Sequence, residues 1–230
     1  MTETQPTLPS AGPYRTSALH PPLEDGRLIV PFEGQTAMRL SIGAGLSHAH
    51  IHVHPDAEDL ICVDPGEGPS PRLRTARSEL RLTWPLSLVE WLRVVVDGRR
   101  DELVIVLHPS VEWTLALGGG LSHVSADLRE GRVARVDVRG GVSDVELTLP
   151  PPPETGGRVR IAGGASHLRL HRPADVSVGV AVTGGVSRLR VDERRYDAIG
   201  GGSRIESGGG PSCWEVDVSG GASEIEVDRS

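Results

Sequence analysis

Four histidines alternate along one short segment and are the residues of this chain best placed for metal chemistry. They are His48, His50, His52 and His54, with Ala49, Ile51 and Val53 between them. Strict alternation predicts a strand with all four imidazoles on one face, roughly 6.5–7 Å apart. Because a zinc ion needs its ligands much closer together, one ion cannot readily take three of them. We predict a solvated histidine face that binds metal weakly at most, and we assign it no cofactor. The alternatives are a zinc or nickel site made of two of these histidines and residues of a neighbouring strand, or a pH-responsive surface.

A second chemical pattern is a serine followed directly by histidine, as at Ser122-His123 and Ser166-His167. A serine nucleophile needs a base within hydrogen-bond reach. Neighbouring residues on a strand point to opposite faces, so this adjacency does not predict a catalytic pair. The acidic pairs Glu58-Asp59, Asp101-Glu102 and Asp192-Glu193 fall in turns, and nothing in their spacing places two carboxylates in a common cleft. No catalytic residue is predicted.

The serines belong to a phrase, Gly-Gly-x-Ser followed by alternating apolar residues, that recurs through the second half of the chain. The six copies contain Gly119, Gly120 and Ser122; Gly140, Gly141 and Ser143; Gly163, Gly164 and Ser166; Gly184, Gly185 and Ser187; Gly200, Gly201 and Ser203; and Gly220, Gly221 and Ser223. A weaker seventh copy ends at Ser47. The serines of the six copies step by 21, 23, 21, 16 and 20 residues. A period near 20 is typical of repeat proteins in which each coil stacks on the next.

Each coil is predicted to contain two strands joined at the Gly-Gly corner. Val136 and Val138 precede one corner, and Val145 and Leu147 follow it. Glycine suits such a corner because it has no Cβ and tolerates positive φ. By strict alternation Ser143 shares a face with Val145 and Leu147, so we expect the repeat serines to point inward as a buried ladder with a structural role.

These patterns predict an all-β, single-domain β-solenoid of roughly 20-residue coils. Residues 1–26 are expected to be a flexible arm and residues 27–230 the solenoid, with regular repeats over 113–228. The segment 86–96 fits either a helix or a strand, and its valine run favours a strand. Trp113 and Trp214 flank the repeats and are candidates to cap the core.

Composition excludes some partners. The net charge of −7 argues against non-specific nucleic-acid binding, which requires a basic surface. No stretch reaches the roughly 18 apolar residues of a membrane helix, and no signal peptide is evident, so a soluble cytoplasmic protein is expected. Cys62 and Cys213 lie far apart in sequence and are expected to be isolated thiols, although a disulfide remains an alternative.

The positions that follow each serine predict a mixed-charge outer face. They include His123, Asp144, His167 and Glu224. The last coil, ending at Glu224–Asp228, is expected to be an exposed edge that docks another protein. Its acidic outer residues disfavour self-pairing, so the protein is expected to be a monomer or a weak homo-oligomer.

The Gly-Gly-x-Ser coils, with the strand 103–107 and Pro109 upstream, resemble the bacterial putative-adhesin or toastrack-like β-solenoid domains. The resemblance covers roughly residues 27–228 and implies a non-enzymatic interaction or scaffold module in a bacterial multiprotein assembly, or in a stress or defence system. It implies a protein partner of unknown identity. The alternative from another class is a glycan-binding surface adhesin or a polysaccharide-active β-helix enzyme, which would need converging carboxylates or exposed aromatic residues along one groove.

Overall fold

The computed structural model describes residues 23–24, 26–43, 46–66, 70–84 and 102–230. These residues form two mixed β-sheets and no helix, so the all-β prediction is confirmed for them. Within the described part of the chain there is no helix long and apolar enough to cross a membrane. The predicted strand at 86–96 lies outside the described residues, as does most of the predicted arm. Within the arm, β1 (Leu23–Glu24) pairs with the strand that follows it.

The first sheet contains twelve strands and carries the segments that follow the serines. In spatial order they are β1, β2 (Arg27–Pro31), β5 (Asp59–Asp64), β8 (Leu103–Leu107), β4 (Leu46–Val53), β10 (Leu121–Asp127), β12 (Val142–Thr148), β14 (Ala165–Arg172), β21 (Gly221–Arg229), β17 (Leu189–Val191) and β18 (Arg194–Tyr196), with β16 (Gly185–Val186) also paired to β21.

The second sheet contains nine strands and carries the segments that precede the glycine corners. In spatial order they are β19 (Ser203–Ser207), β15 (Ser177–Val182), β20 (Cys213–Val218), β13 (Gly157–Ala162), β11 (Arg132–Arg139), β9 (Glu112–Gly118), β3 (Ala37–Ile42), β7 (Glu79–Thr83) and β6 (Arg72–Ala76).

Equivalent positions of the repeats pair with one another in parallel register. Ser122 lies opposite Ser143, Ser143 opposite Ser166, and Ser166 opposite Ser223. The weaker copy joins the same column, because Ser47 lies opposite Ser122. The alternating apolar residues therefore form columns across each sheet, and these columns are the core.

The first glycine of four corners, at Gly140, Gly163, Gly184 and Gly220, is required by close contact between coils. At Gly163, φ is +127° and an added Cβ would lie 2.4 Å from the carbonyl oxygen of Gly140. The same obstruction recurs at Gly220, where the Cβ would lie 2.0 Å from the carbonyl oxygen of Gly163. A side chain at either position would push the coils apart.

The core lies between the two sheets and is almost entirely aliphatic. Val145, Leu168 and Ile225 are at most 2% exposed and occupy one cross-strand column. Trp113 and Trp214 are fully buried within the core, and each indole N–H donates to a backbone carbonyl, that of His108 or Pro150, at 3.0 Å.

The order of strands in space departs from their order in the sequence. β21 lies between β14 and β17, and β20 lies between β13 and β15. The last coil is thus inserted into the stack with a parallel neighbour on each side. The expectation that Glu224–Asp228 forms an exposed docking edge is therefore wrong.

The Gly200 copy also departs from the repeat. Its following strand, β19, lies in the second sheet and runs antiparallel to β15, whereas the other described copies continue into the first sheet. β18 is likewise antiparallel to β17. The chain reverses over β18 and β19, which are the outermost strands of the two sheets at this end, and then returns to insert β20 and β21.

A cluster of polar side chains joins the strands at the end of the sheets where the chain reverses. Arg172, at the end of β14, is fully buried and donates from Nη2 to Asp192 Oδ2 at 2.7 Å. Ser207 donates to the same oxygen at 2.5 Å, and Arg229 Nη2 lies 3.4 Å from it. Burial lowers the pKa of the Arg172 guanidinium. The cluster joins β14, β19 and β21 to the turn after β17.

Candidate functional site

The repeat serines lie at the surface, and the prediction that they form a buried ladder is wrong. Leu121 and Val124 are both buried, while Ser122 is only partly buried and His123 is exposed. The cause is a left-handed backbone at the residue after the serine, with φ of 54° at His123. This residue breaks the alternation, so the inward positions become 121, 124 and 126, and the serine turns outward.

The same backbone conformation occurs in neighbouring coils. Residues after the serine have φ of 55° at His48, 52° at Asp144, 52° at His167 and 60° at Glu224. At the first of these, the Ser47 hydroxyl and His48 Nδ1 lie 2.8 Å apart. The argument that adjacent Ser and His side chains must point to opposite faces therefore fails at this coil. The His48 ring also stacks on the ring of His123, which is not the carboxylate that a catalytic triad would place there.

The side chains after the serines form one continuous polar row, here called the wall. In spatial order the wall consists of His48, His123, Asp144, His167, Glu224 and Arg188. The His48 and His123 rings stack at 4.8 Å between centroids. His167 Nε2 lies 2.7 Å from Glu224 Oε2, and Arg188 Nη2 lies 3.0 Å from the same oxygen. Asp144 lies 3.7 Å from His123 and 3.8 Å from His167, so imidazole or guanidinium groups alternate with carboxylates along most of the wall.

The other predicted histidines lie in separate surroundings. His50 Nε2 pairs with Glu102 Oε1 at 2.6 Å. His52 is partly buried, and this burial, with the nearby charge of His54, lowers the pKa of its imidazole. His54 follows the strand and accepts a hydrogen bond from the Asp56 amide. Among the described residues, no three His, Cys, Asp or Glu side chains converge on a possible metal position.

A groove runs beside the wall, across the strands of the first sheet. It is open to solvent and has a volume of about 1270 Å³. Its polar lining is a row of serines, namely Ser47, Ser122, Ser143, Ser166, Ser187 and Ser223. Its floor includes the second corner glycines, namely Gly120, Gly141, Gly164, Gly185 and Gly221, and the residues that follow them, namely Leu121, Val142, Ala165, Val186 and Ala222. Ile199 and Gly200, from the reversed segment at the end of the stack, line it as well.

The first corner glycines, Gly119, Gly140, Gly163, Gly184 and Gly220, lie behind this floor at the turns between the sheets, where coils stack backbone to backbone. The corner residues chosen from the sequence are thus brought together in one surface feature. Ser166 donates to the Val142 carbonyl at 3.4 Å, which links neighbouring coils along it.

Sequence reasoning missed two groups. His171 contacts Asp228 at 2.5 Å and Glu146 at 3.5 Å, which adds a second polar row beyond the wall. The buried Arg172 had a readable signal, because it continues the inward parity of Leu168 and Leu170. Both cysteines are free, and burial raises the pKa of each thiol.

Comparison with known proteins gives one structural likeness. No family model and no curated protein matches the sequence. The fold is similar to the crystal structure of a protein described as a "putative cell adhesion protein" from Clostridium sporogenes ATCC 15579. The TM-score is 0.63, the identity is 16%, and the match covers 89% of this chain and 98% of the other. At that identity the likeness shows the fold alone.

Proposed function

We propose that this protein is a non-catalytic interaction module, built as a β-solenoid, whose binding surface is the groove lined by the serine row. The observation that carries the proposal is the groove itself, since ligands usually bind in concave sites whose lining is mostly apolar and carries a few polar groups. Its repetition over successive coils suits an extended partner. A scaffold role with a protein partner in a bacterial assembly, as the family resemblance implies, remains part of this proposal.

The wall favours binding over catalysis. Asp144 and Glu224, its two carboxylates, each contact His167 and are 49% and 43% exposed. A glycosidase needs one carboxyl group kept protonated by an apolar pocket and a second one across the scissile bond. Here both carboxylates stand in the same row; Asp144 lies near His123 and His167, and Glu224 contacts His167 and Arg188.

The test uses a groove-filling variant and a matched control. Gly164→Leu places a side chain on the groove floor, where an added Cβ meets no atom within 4 Å. Gly209 is equally open and lies away from the groove, so Gly209→Leu is the control. We expect the full chain to capture a component of a bacterial extract that Gly164→Leu loses and Gly209→Leu retains. Identical capture by all three proteins would contradict the proposed binding surface.

A further inference from the structure

Four strands form the outer edges of the two sheets, because neither sheet is closed over the described residues. They are β1 and β18 in the first sheet and β6 and β19 in the second. The outer side of such a strand presents backbone N–H and C=O groups with which another chain can pair. The charges on each outer strand therefore help to decide what pairs with it.

Two of these strands disfavour pairing with a second copy of the chain. The charged residues of β6 are Arg72 and Arg74, and those of β18 are Arg194 and Arg195. If either strand pairs along its whole length with an antiparallel copy of itself, its central arginine faces the same arginine of the other copy. Like charges directly opposite each other are destabilising. A third outer strand, β1, is only 2 residues long.

The fourth outer strand, β19, has a sequence that is symmetric in charge. It reads Ser203-Arg204-Ile205-Glu206-Ser207. If two copies of β19 pair in antiparallel order about Ile205, each Arg204 lies opposite a Glu206. Opposite charges that face each other across a strand pair stabilise the pairing. This strand is therefore complementary to its own copy.

The charged side chains of β19 lie at the surface, where a second copy can reach them. Arg204 is 50% exposed and Glu206 is 72% exposed. Within one chain, Arg204 Nε donates to Glu206 Oε1 at 2.9 Å and Nη2 donates to Glu215 Oε1 at 2.8 Å. Among the described residues Nη1 has no partner, so the guanidinium retains a donor for a carboxylate of another copy.

The backbone of β19 is also open on its outer side. β19 pairs with β15 on one side, and no described strand lies on the other. The contact that the described side chains make there is a long one, 3.5 Å from Arg194 Nη1 to the Glu206 carbonyl. Residues 1–22 precede β1 and residues 85–101 connect β7 to β8, and these three strands lie toward the other end of the sheets.

We propose that two copies of this protein form a symmetric dimer by pairing their β19 strands in antiparallel order, with Ile205 at the two-fold axis. Arg204 of each copy then contacts Glu206 of the other, as symmetry requires of such an interface. The second sheets of the two copies join into one continuous sheet, and backbone hydrogen bonds supply much of the affinity, as in other cases of strand addition. This inference does not depend on the groove.

The test uses two charge reversals that are complementary to each other. Arg204→Glu makes both charged residues of β19 acidic, and Glu206→Arg makes both basic. In sedimentation of the full-length chain, each variant alone should dimerise at least about tenfold more weakly than the unmodified protein, because symmetry places like charges at both contacts. An equimolar mixture of the two should dimerise again, since acidic strands then face basic strands.

The controls are Arg74→Glu on β6 and Glu130→Arg in the turn after β10, which make the same changes of charge at exposed positions away from β19. Both should dimerise as the unmodified protein does. Circular dichroism checks that each variant folds. If Arg204→Glu does not fold, Glu206→Arg against Glu130→Arg still tests the interface.

Three results would overturn the inference. The unmodified protein could stay monomeric up to about 100 μM, well above a micromolar dissociation constant. A dimer could form that neither reversal weakens, which would place its interface on another surface. Finally, both reversals could dissociate the dimer without recovery in the mixture, which would show that Arg204 and Glu206 do not face each other. None of these results bears on the groove.

Discussion

The central coils and the C-terminal end of the stack are held by different forces. Between β9 and β14, chain order and spatial order agree, and aliphatic columns such as Val145 over Leu168 join the coils. At the C-terminal end, the chain reverses over β18 and β19. There the buried Arg172–Asp192 pair joins the end of β14 to the turn after β17. Apolar columns favour any stacking of similar coils, whereas the buried Arg172–Asp192 pair forms only where these two residues are brought together. The difference suggests that polar contacts select the order in which the coils stack.

The largest expected effect tests whether the inserted coil is as essential as a central one. Ile225→Asp and Val145→Asp each place an unpaired charge at a position at most 2% exposed. We expect both variants to lose cooperative unfolding, measured by circular dichroism during a urea titration. If Ile225→Asp folded almost as stably as the unmodified protein, β21 would be behaving as a dispensable edge.

A smaller but still large effect is expected from the buried cluster. Asp192→Ala removes the partner of a fully buried guanidinium and should cost about 3–5 kcal/mol of unfolding free energy. The matched control is Asp127→Ala, which removes a more exposed pair with Arg129 and should cost about 0–1 kcal/mol. Equal losses in urea titrations of the two variants would show that the cluster does not fasten the end.

The two glycines of one central corner should respond in opposite directions. Gly163→Ala meets the Gly140 carbonyl oxygen at 2.4 Å with φ at +127°, and should cost about 1–3 kcal/mol. Gly164→Ala meets nothing and should be neutral or stabilise by about 0.4–1 kcal/mol. Thermal melting of both variants measures the contrast. A destabilising Gly164→Ala would mean that the fold does require the groove-floor glycine.

The smallest expected effect concerns pH. Burial first, and then the charge of His54, lower the pKa of His52 in the folded protein. Its contribution to stability is therefore complete above its unfolded pKa, near 6.5, and is lost as pH falls through the lower folded value. NMR titration should give a His52 midpoint below about 6.5. His54→Gln should raise that midpoint, since a neighbouring positive charge is removed, and a downward shift would contradict this assignment.

Much of the architecture was predictable because it follows from local pattern. The alternating Val and Leu residues predicted the strands, and the Gly-Gly pairs predicted the corners between them. The orientation of the serines was not predictable by counting, because one left-handed residue, such as His123, shifts the parity of everything before it. Histidine and aspartate are enriched among residues with positive φ, but this preference alone does not identify which position of a strand adopts it, so the groove and its wall could not be predicted from the sequence.

The order in which the coils stack in space could not be predicted from the sequence either. Each copy carries nearly the same apolar alternation, so β14 could pair equally well with β17 or β21 on pattern alone. The buried Arg172 was the available clue, since an inward arginine must find a partner from another strand. Its partner, Asp192, directly follows β17. In the sheet, β17 is separated from β14 by the inserted strand β21.

The insertion of β21 also has a consequence for how the protein is made. The ribosome produces β15 to β19 before β20 and β21, so the pairing edge of β14 stays open while those strands emerge. Unpaired strand edges are prone to aggregation in growing chains. The nascent protein therefore cannot complete its structure one coil at a time, and protection by a chaperone would matter most in the interval between synthesis of β14 and synthesis of β21.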